Sequence, residues 1–233
     1  GYPEVRRAVA DPLNERFGAS YTEDNIIMTV GAAGGLCVAM TTLLNPGDEV
    51  ICISPYFFEY NNYITTPGGR VVVVPASEAD GFMPDVGAIA RAVTPKTKAV
   101  ILNNPNNPTG VVYPAELLRK LSDALVEKGR EYGTTIYVVS DEPYRELAYD
   151  GVEVPWMPNC MENVIVGYSW SKSLSLPGER IGYLVIPGDI ADGQLIFDAA
   201  VVANRMLGFV NAPSLMQLTV ARCLNESTAI DKY

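Results

Sequence analysis

Residues 164–172 read VIVGYSWSK, a short apolar run rich in β-branched residues that passes directly into serine and lysine. A run of this length and composition is typical of a buried strand. Six further runs of this kind alternate with longer helical patterns, as in βαβ units around a buried, largely parallel sheet. We therefore predict an α/β fold. The candidate strands are Ile26 to Val30, Glu49 to Ile53, Val71 to Val74, Ala99 to Asn103, Ile136 to Ser140, Val164 to Tyr168 and Ile181 to Ile186.

The clearest helix lies between two of these strands, in the segment PAELLRKLSDALVEKGREYG. Pro114 opens the segment, and Gly133 is the expected terminator. One face of the helix is apolar, so we predict that it packs on the sheet and has no other role. The residues of that face are Leu117, Leu118, Leu121 and Leu125.

Composition favours a single soluble domain. The 233-residue chain is 48% hydrophobic and 19% charged, which suits a thick buried sheet better than a solvated helical bundle. No apolar run approaches the roughly 18 residues of a membrane helix, and no targeting segment is recognisable. The net charge of −10 disfavours nucleic acid or an anionic membrane as a partner. We therefore expect a cytoplasmic protein that binds small molecules.

The lack of histidine restricts the possible chemistry. It excludes Ser-His-Asp and Cys-His triads and His-ligated zinc. The four cysteines are widely spaced and form no CxxC pair, so they suggest neither a zinc site nor a disulfide framework. We therefore expect no metal, and proton transfer by Lys, Asp, Glu, Tyr or Cys side chains.

Three of the candidate strands run directly into polar residues. In open α/β sheets the ligand crevice lies outside the carboxyl ends of the strands, so these clusters should converge on one site. The stretches are AVILNNPNNPTG, with Asn106, Asn107 and Pro108, IYVVSDEPY, with Asp141, Glu142 and Tyr144, and VIVGYSWSK, with Ser169 and Lys172.

A fourth stretch, IIMTVGAAGGLCVAMTTLL, predicts a strand, a turn of small residues and a helix that begins near Ala33. Small residues there would let a phosphate approach the free N–H groups at the helix start. The alternative is a tight turn without a ligand. The stretch matches neither the P-loop nor the dinucleotide glycine pattern.

Each polar cluster also has a purely structural interpretation. The stretch NNPNNPTG could be a turn built from Asn, Pro and Gly. Asp141 could cap a helix, Tyr144 and Phe57 could be core residues, and Lys172 could be an ordinary exposed lysine. The joint occurrence of these clusters favours a shared site.

Taken together, these motifs closely resemble the class I and II aminotransferases of pyridoxal phosphate (PLP) fold type I, especially the branch around aspartate aminotransferase. The resemblance runs from GYPEVR to NRMLGFVNAPSLMQ, with five motifs in the family's order. It implies a three-layer α/β/α sandwich around a mostly parallel, mixed seven-stranded sheet. It also implies PLP as the cofactor.

The resemblance assigns roles to individual residues. It implies that Lys172 forms a Schiff base with PLP, and that Ser169 and Arg180 bind the phosphate. Asp141 would pair with the pyridine nitrogen, and Tyr144 would donate a hydrogen bond to the phenolic oxygen of the ring.

Four further residues would complete the cofactor site in this resemblance. Asn107 would contact the phenolic oxygen, and Phe57 would stack on the ring. The backbone amides of Ala32 and Ala33 would bind the phosphate.

The chemistry of these residue types is consistent with the resemblance. A free lysine titrates near pH 10.4, so a nucleophilic amine needs an environment that disfavours the ammonium form, and we expect burial of Lys172 beside Arg180 to provide it. The amine could then carry a proton between substrate and cofactor. Asp141 would keep the pyridine nitrogen protonated, which makes the ring an electron sink.

The resemblance covers only the large, cofactor-binding domain, here residues 1–233. We expect the family's N-terminal arm and C-terminal small domain, including the arginine that binds the substrate α-carboxylate, to lie outside this sequence. The chain alone should therefore be weakly active or inactive, because substrate orientation supplies much of the rate. The full-length protein is expected to be a homodimer. Arg205 could face an acidic substrate across that interface or be an ordinary surface arginine.

The leading function is transfer of an amino group between an amino acid, aspartate or a related one, and a 2-oxo acid. A PLP-dependent β-lyase of the same fold would use the same residues, and a non-catalytic PLP-binding fragment is the other alternative. The S-x-x-K pattern also occurs in serine β-lactamases, but the SDN and KTG elements of those enzymes are absent from the sequence.

Overall fold

All seven candidate strands form strands in the structure, a computed structural model that describes residues 1–224. The ends of six of them differ from the predicted ends by one or two residues. The strand that begins at Val164, for example, runs one residue further than predicted and ends at Ser169. The strands are β1 (Ile26–Val30), β2 (Glu49–Ser54), β3 (Arg70–Pro75), β4 (Thr97–Asn103), β5 (Tyr137–Asp141), β6 (Val164–Ser169) and β7 (Ile181–Val185).

The strands form one mixed sheet in the order β1-β7-β6-β5-β4-β2-β3. β3, β2, β4, β5 and β6 pair in parallel, whereas β7 pairs antiparallel with both β6 and β1. Every residue of β5, β6 and β7 is buried. Strands covered on both faces read as continuous apolar runs, and the sequence shows such runs here.

Helices cover both faces of the sheet and produce the expected three layers. The helices are α1 (Pro3–Phe17), α2 (Gly31–Leu43), α3 (Tyr60–Thr65), α4 (Val86–Ala92), α5 (Ala115–Tyr132), α6 (Trp170–Ser173), α7 (Gly193–Met206) and α8 (Ser214–Leu224). One core cluster contains Val5, Ile89, Leu118 and Val220, which come from α1, α4, α5 and α8. The other contains Leu36, Ile64 and Ile196, which come from α2, α3 and α7.

The helix predicted after Pro114 is α5. Gly133 ends it in the left-handed conformation, with φ 66°, as expected of a C-terminal glycine. Leu118, Leu121 and Leu125 are buried against the sheet, which confirms the packing role.

The predicted start of α2 near Ala33 is wrong by two residues, because the helix begins at Gly31. Gly31 has φ 67°, a conformation that glycine adopts without steric cost. The chain can therefore turn directly out of β1 into the helix. Over residues 1–224, no helix is both long and apolar enough to cross a membrane.

Candidate active site

A cavity of about 200 Å³ lies at the carboxyl ends of the central parallel strands, where the sequence predicted a site. All nine residues that the sequence assigned to a cofactor contribute to its lining. Their roles toward a ligand stay predictions. They are Ala32, Ala33, Phe57, Asn107, Asp141, Tyr144, Ser169, Lys172 and Arg180.

A larger cavity of about 610 Å³ lies around Gly18 to Tyr21 and Asn159 to Val164. Its size alone does not make it the better candidate. The described residues that line it include no lysine or arginine, so it offers no cation to a phosphate or carboxylate. The smaller cavity contains Lys172 and Arg180 as well as the buried carboxylate of Asp141.

Three polar side chains enter the smaller cavity from adjacent strand ends. Asn103 ends β4 and is paired with Asp141, which ends β5, while Ser169 ends the next strand, β6. All three residues are buried. The parallel arrangement of β4, β5 and β6 brings these residues together, although they lie far apart in the sequence.

Asp141 is the most unusual of these groups. Its Oδ2 atom accepts a hydrogen bond of 2.6 Å from the hydroxyl of Tyr60, whereas its Oδ1 atom is buried without a hydrogen-bond partner among the described residues. Burial raises the pKa of the Asp141 carboxyl to about 6, although the Tyr60 hydrogen bond opposes that shift. A buried oxygen without a partner is costly, so this atom suits a cationic or N–H ligand.

Lys172 lies on the single turn of α6 with its Nζ atom 5.6 Å from the centre of the Tyr144 ring. The expectation that Lys172 is buried beside Arg180 is wrong, because Lys172 is exposed. One turn of helix buries only one side, and Trp170 and Ser173 occupy it. Burial raises the pKa of Tyr144, and the nearby charge of Asp141 raises it further.

Arg180 lies against the first turn of α2. A Cβ atom built on Gly31 would lie 2.7 Å from the Nη2 atom of Arg180, so a side chain there would displace the guanidinium. The Nη1 atom of Arg180 donates a 2.7 Å hydrogen bond to the carbonyl of Pro177. Arg180 also has φ 52°, an uncommon value for a residue with a side chain. The guanidinium and the free N–H groups of the helix start together offer an anion site.

Asn103 orients the loop that carries Asn107. Its Oδ1 atom accepts a 2.5 Å hydrogen bond from the backbone N–H of Asn107, and its Nδ2 atom donates to the carbonyl of Asp141 at 2.7 Å. The loop also forms a turn of Asn, Pro and Gly residues, in which Asn106 accepts a hydrogen bond of 2.7 Å from the hydroxyl of Thr109. The turn and a place in the cavity are therefore compatible for this stretch. Sequence reasoning missed Asn103, although it is the first residue of the stretch NNPNNPTG.

Phe57 and Tyr63 contribute aromatic walls to the cavity. The Phe57 ring meets the buried Tyr60 ring edge-on at 5.7 Å between centroids. Burial raises the pKa of Tyr63 to about 12, and the nearby Cys37, Glu59 and Asp141 add to the shift. Sequence reasoning selected Phe57 but missed Tyr60 and Tyr63 three and six positions later.

Arg205, for which the sequence left two roles open, lies outside this cavity. Arg205 is exposed on α7 and lines a different cavity from Lys172, so it does not reach the site from within its own chain. In the part of the chain that the structure describes, no group of three or more potential ligand side chains is arranged to hold a metal ion.

Comparison with known proteins identifies relatives along the whole chain. The family model of class I and II aminotransferases matches residues 1–233. A probable aspartate/prephenate aminotransferase of Thermus aquaticus is 39% identical over 187 residues, which are 80% of this chain and 47% of that protein. An aspartate aminotransferase of Pyrococcus horikoshii is 32% identical over 205 residues, which are 88% of this chain and 51% of that protein. The chain thus spans about half the length of these curated relatives.

Solved structures agree with this grouping. The crystal structure of an amino transferase from Eubacterium rectale matches with a TM-score of 0.95 and 43% identity, covering 100% of this chain and 58% of that one. The aspartate aminotransferase from Thermus thermophilus with maleate matches with a TM-score of 0.87 and 34% identity, covering 100% and 57%. The chain therefore belongs to the class I and II aminotransferase family.

Proposed function

We propose that this chain is the cofactor-binding large domain of a PLP-dependent aminotransferase. The family membership supports the reaction class, and the cavity at the strand ends supports the cofactor. The observation that carries the proposal is the Oδ1 atom of Asp141, buried in that cavity without a hydrogen-bond partner among the described residues. When bound, PLP supplies an electron sink for the carbanion that forms at the substrate α-carbon.

The residues of the cavity fit this cofactor at both ends. Asp141 would pair with a protonated pyridine nitrogen, which would satisfy its buried oxygen and keep the carboxylate charged. At the other end, Arg180, Ser169 and the amides of Ala32 and Ala33 would bind the phosphate.

The side walls of the cavity would fix the orientation of the ring. Phe57 would stack on one face, and Asn107 and Tyr144 would contact the phenolic oxygen. The raised pKa of Tyr144 keeps its hydroxyl protonated, so Tyr144 can donate a hydrogen bond there at neutral pH.

Lys172 would attach covalently to the cofactor and later carry the proton that leaves the substrate α-carbon. Its position on a one-turn helix at the cavity leaves the amine accessible to both partners. No histidine is needed, because one amine both accepts and returns the proton.

For the substrates, we propose aspartate or a related amino acid as the donor and a 2-oxo acid as the acceptor. The names of the relatives support this choice, since several are called aspartate or aspartate/prephenate aminotransferase. We further propose that the full-length protein acts as a homodimer. The exposed apolar residues Val202 and Met206 on α7 are consistent with a covered face.

An absorbance titration with PLP tests the proposal. In the full-length protein, PLP should produce an absorbance band at a longer wavelength than that of the protein itself. The band should depend on Lys172, so Lys172→Ala should abolish it. Lys98→Ala is a matched control, because Lys98 also lies over a tyrosine ring, at 5.3 Å from Tyr137. A band that survives in Lys172→Ala, or that is absent from the wild type, would contradict the proposal.

A product assay then separates the reactions. Aspartate and 2-oxoglutarate should yield oxaloacetate and glutamate in the full-length protein. Release of homocysteine, pyruvate and ammonia from cystathionine, without transamination, would instead indicate a β-lyase. A Lys172-dependent band without turnover of either substrate would indicate a PLP-binding protein that is not catalytic.

A further inference from the structure

Tyr60 is a buried tyrosine to which the resemblance assigns no role. It lies at the start of α3 and is only 1% exposed. Its hydroxyl donates a 2.6 Å hydrogen bond to the Oδ2 atom of Asp141, a residue 81 positions away in the chain. Its contact with the predicted nitrogen-binding carboxylate is therefore direct.

The ring of Tyr60 is fixed on several sides by other aromatic rings. Tyr56 stacks on it at 6.1 Å between centroids, Phe57 meets it edge-on at 5.7 Å, and Tyr63 lies at 6.3 Å. Such contacts, together with full burial, hold the hydroxyl in one place. Tyr60 thus contacts both Phe57, which would stack on the cofactor, and Asp141, which would bind its ring nitrogen.

The hydrogen bond distinguishes the two oxygens of Asp141. Oδ2 is occupied by Tyr60, which leaves Oδ1 as the oxygen without a partner among the described residues. Burial raises the pKa of Tyr60 well above its ordinary value, and the charge of Asp141 adds to the shift, so the hydroxyl remains a donor. A carboxylate held at one oxygen cannot rotate freely, so its second oxygen has a defined direction.

We propose that Tyr60 is a positioning residue of the cofactor site, which holds the Asp141 carboxylate by one oxygen so that the other receives the ring nitrogen of PLP. The proposal rests on the proposed function. Tyr60 acts through Asp141 and Phe57 and does not line the cavity itself.

A pH dependence follows from the groups that surround Asp141. The Tyr60 hydrogen bond opposes the rise in the pKa of Asp141 that burial causes, so removing the hydroxyl should raise that pKa above about 6. The other titratable groups remain the same in such a variant. Tyr63, Tyr144, Lys172 and Arg180 line the same cavity. Cys37 of α2 and Glu59 act on Tyr63, and Cys52 of β2 acts on Tyr60.

The test compares Tyr60→Phe with Tyr56→Phe in the full-length protein. Both variants lose one tyrosine hydroxyl from the same aromatic cluster, but the Tyr56 hydroxyl bonds to Asn61 at 3.0 Å and not to Asp141. The dissociation constant for PLP is measured by absorbance between pH 5 and pH 9, together with the thermal unfolding midpoint without PLP. The binding readout does not depend on turnover.

We expect Tyr60→Phe to weaken PLP binding about tenfold at pH 8, because a hydrogen bond to a charged group is lost. The pH below which affinity declines should also move upward in Tyr60→Phe and stay unchanged in Tyr56→Phe. Equal affinities and equal pH profiles for Tyr60→Phe and wild type would overturn the proposal, and so would an equal loss in Tyr56→Phe. If wild type itself shows no Lys172-dependent band, the proposed function fails and this proposal fails with it.

Discussion

Asp141 and Glu142 are consecutive buried acids, yet their carboxylates meet opposite surroundings. Glu142 forms an ion pair with Arg145 and accepts a 2.6 Å hydrogen bond from Ser140. The Asp141 carboxylate accepts one hydrogen bond, from the Tyr60 hydroxyl, and its Oδ1 atom has no partner among the described residues. The first charge is neutralised within the chain, whereas we propose that the second binds a ligand.

The two acids also belong to different faces of the sheet. Arg145 lies 4.5 Å from the centre of the Trp156 ring and 5.0 Å from that of Phe17, in the core that α1 and α5 cover. Tyr60 belongs to the core on the face of α2 and α3. Successive side chains of an extended chain point to opposite faces, so Glu142 lies in the core of one face and Asp141 at the proposed ligand site of the other.

The largest effect is expected on stability, at the buried ion pair of Glu142 and Arg145. Glu142→Gln leaves the Arg145 charge buried without its partner, so the free energy of unfolding should fall by about 3–5 kcal/mol. The shift of the urea midpoint measures the loss. PLP affinity of the folded protein should change little.

Glu146→Gln is the matched control for that prediction. Glu146 forms an ion pair of 2.7 Å with Arg16 at the surface, and a surface pair should contribute less than about 1 kcal/mol. If both variants lost the same free energy of unfolding, burial would not be the reason that the Glu142–Arg145 ion pair stabilises the protein.

The next effect concerns Asp141 and depends on pH. Folding raises the pKa of this carboxyl from its ordinary value of 3.8 to about 6, so the folded state favours the protonated form. The protonated Asp141 carboxyl therefore stabilises the folded state below about pH 4. This contribution to the free energy of unfolding, about 3 kcal/mol, is lost as the pH rises from about 4 to about 6. Asp141→Asn should lack this contribution.

Urea unfolding without PLP at several pH values measures the difference between wild type and Asp141→Asn. The wild type should lose stability relative to the variant between about pH 4 and about pH 6, and the difference should then stay constant. A difference that does not change with pH would show that folding does not raise the pKa of Asp141.

The smallest effect is expected at Gly31. Alanine there would push Arg180 away from the start of α2, so PLP affinity should fall about tenfold while stability falls by about 1 kcal/mol through backbone strain. Gly18→Ala is a matched control, because Gly18 has the same φ of 67° but nothing within 4 Å of a built Cβ atom. A titration with PLP distinguishes the two variants. An equal loss of affinity in both would argue against phosphate binding by Arg180.

Much of this architecture could be predicted from the sequence. The strands were found because buried parallel strands are short continuous apolar runs, and the converging clusters followed from the strand ends. The antiparallel direction of β7 has no signature in its apolar run IGYLV, and it entered only through the family resemblance.

Contacts between distant segments could not be predicted in the same way. Tyr60 sits in the stretch SPYFFEY as one aromatic residue among four, and only folding brings it to Asp141. The burial expected of Lys172 was wrong because chemistry alone does not say which side of a one-turn helix faces the core. Tertiary packing decides both features.

We propose above all that the Oδ1 atom of Asp141, which has no partner among the described residues, binds the ring nitrogen of PLP. A crystal structure of the full-length protein grown with PLP would show the contact itself. We expect the cofactor in the cavity of Lys172 and Arg180, with its ring nitrogen within hydrogen-bond distance of Asp141 Oδ1. PLP bound in the larger cavity around Asn159 to Val164, or in a pose with Asp141 still unpaired, would contradict it.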